Sequence, residues 1–225
     1  MVWPSLDGAN SLRPDDGQLV TLASALDGLD AATVHEAYGG RGALPSEIKP
    51  LDVTFRVCAP AFTVDCPPGD NLWIHRAVYA ARPRDVLVVH ARGEREAGYW
   101  GEILGHAALV QQLAGLVIDG GVRDIERLAE IGLPVFAANV CLRGTSKDPL
   151  ADGRVGEPIV IGQTLVRPGD IVVGDRDGVV VVAADAVDGV AAAARERIRK
   201  EEEVVARLQR GETTLAIYDL PPIEQ

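Results

Sequence analysis

Two short, almost wholly aliphatic runs, residues 85–90 (DVLVVH) and 115–119 (GLVID), flank a stretch with helical spacing at 102–113. This restricts the chain more than any other feature. Unbroken runs of Val, Leu and Ile are strands buried on both faces, the condition of parallel sheets covered by helices. The pattern continues with a helix expected over 124–131 and a strand over 134–138. The fold class expected is therefore α/β with a mixed central sheet.

The rest of the chain fits round that centre. Residues 1–17, rich in Pro, Asp and Gly, read as a loosely held N-terminal tail, and 18–225 as a single domain. Helical spacing over 18–38 puts Leu22, Ala25, Leu26 and Leu29 on one face, with a break at Gly28-Leu29-Asp30. Short strands are expected at 53–57 and 61–64, separated by Ala59-Pro60. Asp70 or Asn71 caps the next helix. Asp177-Gly178, between Val-rich runs at 171–174 and 179–183, predicts a hairpin. A long helix follows over 184–210, stopped by Gly211.

At 225 residues the chain supports one well-buried core and is short for two full-sized domains. Its formal net charge of −11 argues against nucleic acid as a partner, which needs clustered Lys and Arg. No apolar stretch approaches the roughly 20 residues of a membrane span, and no signal peptide is evident. Cys58, Cys66 and Cys141 form no CxxC pair, which fits reduced thiols and a cytoplasmic location.

The chemistry concentrates in 100–128. Glu102 follows Gly101 at a helix start, and twenty residues separate it from the pair Arg123-Asp124. A helix that returns antiparallel to its strand brings its start and the strand's end to the same rim of the sheet, where α/β folds bind ligands. The first amides of that helix, at Ile103 and Leu104, point there at an anion. Gly120-Gly121 lets backbone approach closely. Asp124 suits a hard cation such as Mg²⁺ or Mn²⁺, and Arg123 a carboxylate or enolate oxygen. Each acid also has a plainer reading as a favourable first-turn residue of its helix, and Arg123 as one half of a surface ion pair.

A carboxylate, twenty residues, then Arg-Asp resembles the motif of the 4-hydroxy-4-methyl-2-oxoglutarate/4-carboxy-4-hydroxy-2-oxoadipate aldolases of the RraA-like family. So do PGDNLWIHRAV at 68–78, GLVIDGGVRDIERLAEIGLPVFA at 115–137 and VRPGDIVVGDRDGVVVV at 166–182. The resemblance implies a single-domain swivelling-type β/β/α fold with a mixed sheet and a long C-terminal helix. It implies a homotrimer or hexamer with sites between subunits, and Mg²⁺ or Mn²⁺ as cofactor. Asp124 would be the direct metal ligand and Arg123 the anchor of substrate and enolate. The family's acid at position 102 is Asp, and here it is Glu102, as outer-shell ligand. The Gly101–Leu104 segment, with the amides of Ile103 and Leu104, would hold the pyruvyl carboxylate, and Asn71 and His75 would stand nearby.

On the last helix Glu201 interrupts an apolar stripe of Val187, Ala191, Ala194, Ile198, Val205 and Leu208. The resemblance makes it the glutamate that a neighbouring subunit lends to the metal site, with Glu202 the alternative; a solvated charge run is the plainer account. His35, His90 and His106 have no partner at metal-ligand spacing and receive no role. The three lysines, Lys49, Lys147 and Lys200, lie outside apolar runs, which disfavours a Schiff-base aldolase. Arg143, Lys147 and Arg154, in the 139–163 segment, either touch distal carboxylates or face solvent.

The expected function is a metal-dependent lyase. It splits 4-hydroxy-2-oxo acids to pyruvate and a second oxo acid, and also decarboxylates oxaloacetate through the same enolate. The rivals are a non-catalytic regulator that binds ribonuclease E, as RraA does, and a related lyase or hydrolase acting on another oxo acid.

Overall fold

The computed structural model describes residues 13–221 and residue 223. Two helices, α1 (Asp16–Leu26) and α2 (Ala31–Ala37), come first. The chain continues through β1 (Lys49–Pro50), β2 (Val57–Asp65), α3 (Leu72–Ala80), β3 (Val86–His90) and β4 (Gly98–Trp100). Next come α4 (Glu102–Val110), β5 (Gly115–Val122), α5 (Ile125–Ile131) and β6 (Val135–Val140). The last third holds β7 (Arg154–Val155), β8 (Ile159–Ile161), β9 (Thr164–Val166), β10 (Ile171–Asp175), β11 (Gly178–Val182), α6 (Val187–Gln209) and α7 (Thr214–Ile217).

The sheet runs β1-β6-β5-β3-β2-β10-β11, with β4 beside β5 and β7 beside β2; β8 and β9 form a separate hairpin. Strands β2, β3, β5 and β6 are parallel neighbours, while β10 and β11 are antiparallel. Both faces of the centre are buried, as the aliphatic runs require. Leu87, Val89, Leu116 and Ile118 pack under α3, α4 and α5. Val86, Val88 and Val117 join Phe136, Ile159 and Ile161 on the other face. A third cluster seats α1, α2 and the first half of α6 on β10 and β11.

Four expectations need correction. The tail ends earlier than 17: residues 1–12 lie outside the described residues, but α1 starts at Asp16, capped by the Asp15 side chain on Gln18 N–H. Arg13 is already anchored, its guanidinium 2.6 and 2.8 Å from the two carboxylate oxygens of Asp85. That carboxylate is 1% exposed, and a buried charge needs a partner. Second, 53–57 is mostly a turn fixed by Asp52 on Thr54 N–H, and β2 runs unbroken from Val57 through Pro60. Pro60 is tolerated because the parallel pairing with β3 begins one residue later, at Ala61, so no ladder bond is asked of its nitrogen.

Third, α4 ends at Val110 and not at 113, since Gln112 takes a left-handed φ of 58° and its carbonyl accepts Arg84 N–H. Fourth, the apolar stripe of α6 is covered only at its start. Val187, Val190, Ala191 and Ala194 are buried, while Val205 is 50% exposed and Leu208 38%. Among the described residues no helix is long and apolar enough to cross a membrane.

Candidate functional site

A cavity of about 310 Å³ opens at the rim where β4 and β5 end and α3 and α4 begin. Arg123 and Asp124 form one wall, immediately after β5. Arg123 is fixed by its backbone, whose N–H donates to the Trp100 carbonyl at 2.9 Å. Asp124 has φ 59° and ψ 39°, a left-handed conformation that Asp enters at modest cost because its side chain is short and polar. Its carboxylate does not cap its own helix. Oδ2 instead accepts the Glu102 N–H at 3.1 Å and lies 3.8 Å from Arg123 Nε.

That geometry decides against the plain first-turn reading of Asp124: its carboxylate is turned to α4 and the cavity. Gly101 permits the approach, since a Cβ there would collide with Asp124 Oδ2. The first turn of α4 brings Ile103 and Leu104 to the same cavity. Their N–H groups have no acceptor within the helix, so they are available to an anion.

The opposite wall comes from α3 and from the 144–147 segment. Asn71 and His75 line it, with Thr145 and Lys147. Asn71 is 6% exposed; its Nδ2 donates to the Tyr99 carbonyl at 2.8 Å, leaving Oδ1 with no donor among the described residues. A buried acceptor left open on a cavity wall is suited to a ligand O–H or N–H. Burial and the nearby Lys147 ammonium push the His75 pKa down, partly opposed by Asp70, so its imidazole is neutral near pH 7. Tyr99, also in the wall, accepts the Gly69 N–H at 2.7 Å, and burial raises its phenol to about 12. Burial likewise pushes the Cys58 and Cys66 thiols up to about 12, which removes both as nucleophiles.

The remaining acids are not gathered in one chain. The Glu102 side chain leans along α4 to within 3.9 Å of His106 Nε2. Glu201 is exposed on α6, ion-paired with Arg197 at 2.9 Å, and Glu202 is exposed beside it. Among the described residues no group of three or more His, Cys, Asp or Glu side chains is placed to hold a metal. The residues present still fit a hydrated hard cation. Asp124 Oδ1 takes no hydrogen bond from the described residues, and the side chain is 42% exposed, leaving room for waters. Mg²⁺ and Mn²⁺ are held in this way, by one or two carboxylates with waters and substrate oxygens completing the shell.

Tyr99 and Thr145 were not foreseen as wall residues. The GYWG sequence immediately before Glu102 was the available signal for Tyr99; nothing local marks Thr145. Two histidines without assigned partners have them: His106 faces Glu102, and His90 Nδ1 is 2.6 Å from Asp119 across β3 and β5.

The sequence and the fold were compared with known proteins. A family profile described as RraA-like, Aldolase/RraA, matches residues 27–181. A protein of Halalkalibacterium halodurans, provisionally named 4-hydroxy-4-methyl-2-oxoglutarate aldolase, is 34% identical over 169 residues, covering 75% of this chain and 80% of that protein. A crystal structure of an uncharacterized protein from Pseudomonas syringae superposes with a TM-score of 0.73 at 27% identity, over 86% of this chain and 91% of that one. Streptomyces coelicolor RraAS2, described as an unusual member of the RNase ES inhibitor RraA protein family, gives 0.72 at 28% identity, over 87% and 100%. The matched region begins just after α1 and runs into β11, and so contains the cavity and its Arg123-Asp124 wall: the chain belongs to the RraA-like family.

Proposed function

We propose that the protein is a divalent-metal-dependent lyase that cleaves 4-hydroxy-2-oxo acids, such as 4-hydroxy-4-methyl-2-oxoglutarate or 4-carboxy-4-hydroxy-2-oxoadipate, to pyruvate and a second oxo acid. Oxaloacetate decarboxylation is a second activity through the same pyruvate enolate. One observation carries the reading: a carboxylate turned away from its own helix stands beside an arginine and two free helix-start amides in one cavity.

Asp124, with Glu102 and waters, would hold the Mg²⁺ or Mn²⁺. The bound ion would supply Lewis-acid polarisation of the 2-oxo carbonyl. Ile103 and Leu104 bind the pyruvyl carboxylate through their N–H groups. Arg123 places its guanidinium on the oxygen where enolate charge develops. Asn71 Oδ1 accepts the substrate's 4-hydroxyl as it binds, and the hydroxyl then turns its single proton to neutral His75 on the same wall, which takes it. Glu201 of a second copy, in a trimer or hexamer, is the other candidate base, acting through water with Glu102.

The test is pyruvate release from oxaloacetate and from 4-hydroxy-4-methyl-2-oxoglutarate with Mg²⁺ or Mn²⁺, before and after EDTA. Arg123→Ala and Asp124→Ala should each lose at least about 100-fold in kcat/KM while remaining folded, the scale of removing an enolate-stabilising group. Near-normal turnover in folded variants would remove the site assignment. No release from either substrate would favour a non-catalytic regulator of a ribonuclease, the reading that the likeness to RraAS2 supports.

A further inference from the structure

Beyond the capping of α3 expected of it, Asp70 has no part in the site so far, yet its carboxylate joins two pieces of the cavity wall. The residue is 3% exposed and follows Gly69 in the turn before α3. Its Oδ1 accepts Leu72 N–H at 2.9 Å, closing the first turn of the helix that carries Asn71 and His75. Its Oδ2 accepts the Ser146 hydroxyl at 2.8 Å and the Asp148 N–H at 2.5 Å. Residues 146 and 148 are thus tied to one oxygen, which leaves Lys147 between them at the apex of the loop, lining the cavity.

Backbone bonds reinforce the joint. Ser146 N–H donates to Gly69 O, and Asn71 N–H to Ser146 O. These link only the flank before Lys147; immediately after it the carboxylate is the tie, and three residues beyond Asp148 the Trp73 indole N–H of α3 donates to Ala151 O at 2.9 Å. Burial raises the Asp70 carboxyl, but the bonds from Asp148, Leu72 and Ser146, with Lys147 nearby, outweigh it and hold it ionised below its ordinary range. A charged acceptor of several N–H and O–H groups is among the stronger fasteners a loop can have.

We propose that Asp70 is a positioning residue that fastens the 145–148 loop to the start of α3, and so holds Lys147 in the cavity as a second cation, besides Arg123, for a ligand with two carboxylates. The ligand class rests on the oxo-acid reading above; the fastening does not. A substrate cleaved to pyruvate and another oxo acid brings a distal carboxylate, and a body of net charge −11 needs a local cation to retain it.

Asp70→Asn tests this, since the amide oxygen can still accept from Leu72 while the amide nitrogen cannot accept from Asp148. In the Mg²⁺-loaded protein, affinity for 2-oxoglutarate (two carboxylates) and pyruvate (one) is measured by calorimetry in wild type, Asp70→Asn, Lys147→Met and the double variant. Each single variant should lose about 10-fold for 2-oxoglutarate and under about 2-fold for pyruvate, the scale of one charge-assisted contact. The double variant should be no weaker than Lys147→Met, because both changes remove one contact. Amide exchange at Asp148 should quicken in Asp70→Asn.

Equal losses for the two ligands, additive losses in the double variant, or unchanged exchange at Asp148 would overturn the proposal. If wild type binds neither ligand, the oxo-acid reading fails and takes the ligand assignment with it, and the exchange rate alone decides the fastening. Should Asp70→Asn not fold, Ser146→Ala at the exposed end of the joint should give a smaller shift of the same kind, about 3-fold. No shift there would likewise overturn it.

Discussion

Asp124 and Gly101 depend on each other. The left-handed backbone at Asp124 swings its carboxylate off α5, and only a residue without a Cβ at 101 lets Oδ2 reach the Glu102 N–H. Gly101→Ala should therefore weaken Mn²⁺ binding by about 10- to 100-fold, as the loss of a ligand's supporting partners does. Its thermal midpoint should fall by only a few degrees, about the effect of 1 kcal/mol. Isothermal titration with Mn²⁺ alongside a melting curve checks both, and unchanged Mn²⁺ affinity would show that the carboxylate is not the ligand. At this scale much of the site was legible: spacing alone put Glu102, Arg123 and Asp124 on one rim. The direction of each side chain was not. Whether Asp124 caps its helix or faces a cavity depends on one φ angle, and the Glu102 carboxylate sits by His106, its i+4 neighbour on α4, rather than by Asp124.

Between elements, the parallel centre is joined by contacts far apart in sequence. His90 at the end of β3 donates its Nδ1–H to the Asp119 carboxylate of β5, and Asp119 Oδ1 also takes the Ala91 N–H. The hydrogen bond His90 gives to Asp119 raises the His90 pKa, opposed by burial and by Arg92, with Asp65 assisting. The sign follows: a raised imidazole stabilises the fold fully below its ordinary value of 6.5, and that stabilisation is lost as pH rises through the higher folded value. The urea midpoint should fall as pH is taken from 6 to 9, and His90→Gln should flatten that slope. A slope unchanged by the substitution would assign it to other groups. The helices and aliphatic strands were readable because periodicity is local. Pro60 inside β2, the partnering of β2 with β10, and the Asp70–Asp148 joint were not, because each is set by a strand or loop distant in sequence.

For the whole molecule, the unanswered surface is the outer half of α6 with α7. Val205, Leu208, Leu215, Tyr218 and Leu220 are exposed along it, and Glu201 lies on the same helix. A helix with an uncovered apolar face is suited to a second copy of the chain. Val205→Glu combined with Leu208→Glu should shift the protein to monomers in sedimentation velocity and lower turnover. A monomeric wild type would leave the face without that role.

The three separate clusters of the interior have a consequence for how the protein opens. The cluster seating α6 shares no buried residue with the one beneath α3, α4 and α5. Transient release of the terminal helix therefore leaves the Arg123-Asp124 wall standing, and amides of α1, α2 and α6 should exchange as one cooperative group ahead of those in β3 and β5. Release and re-seating of α6 then leaves the binding cavity intact, with the pocket as the permanent fixture and the outer helix as the renewable part.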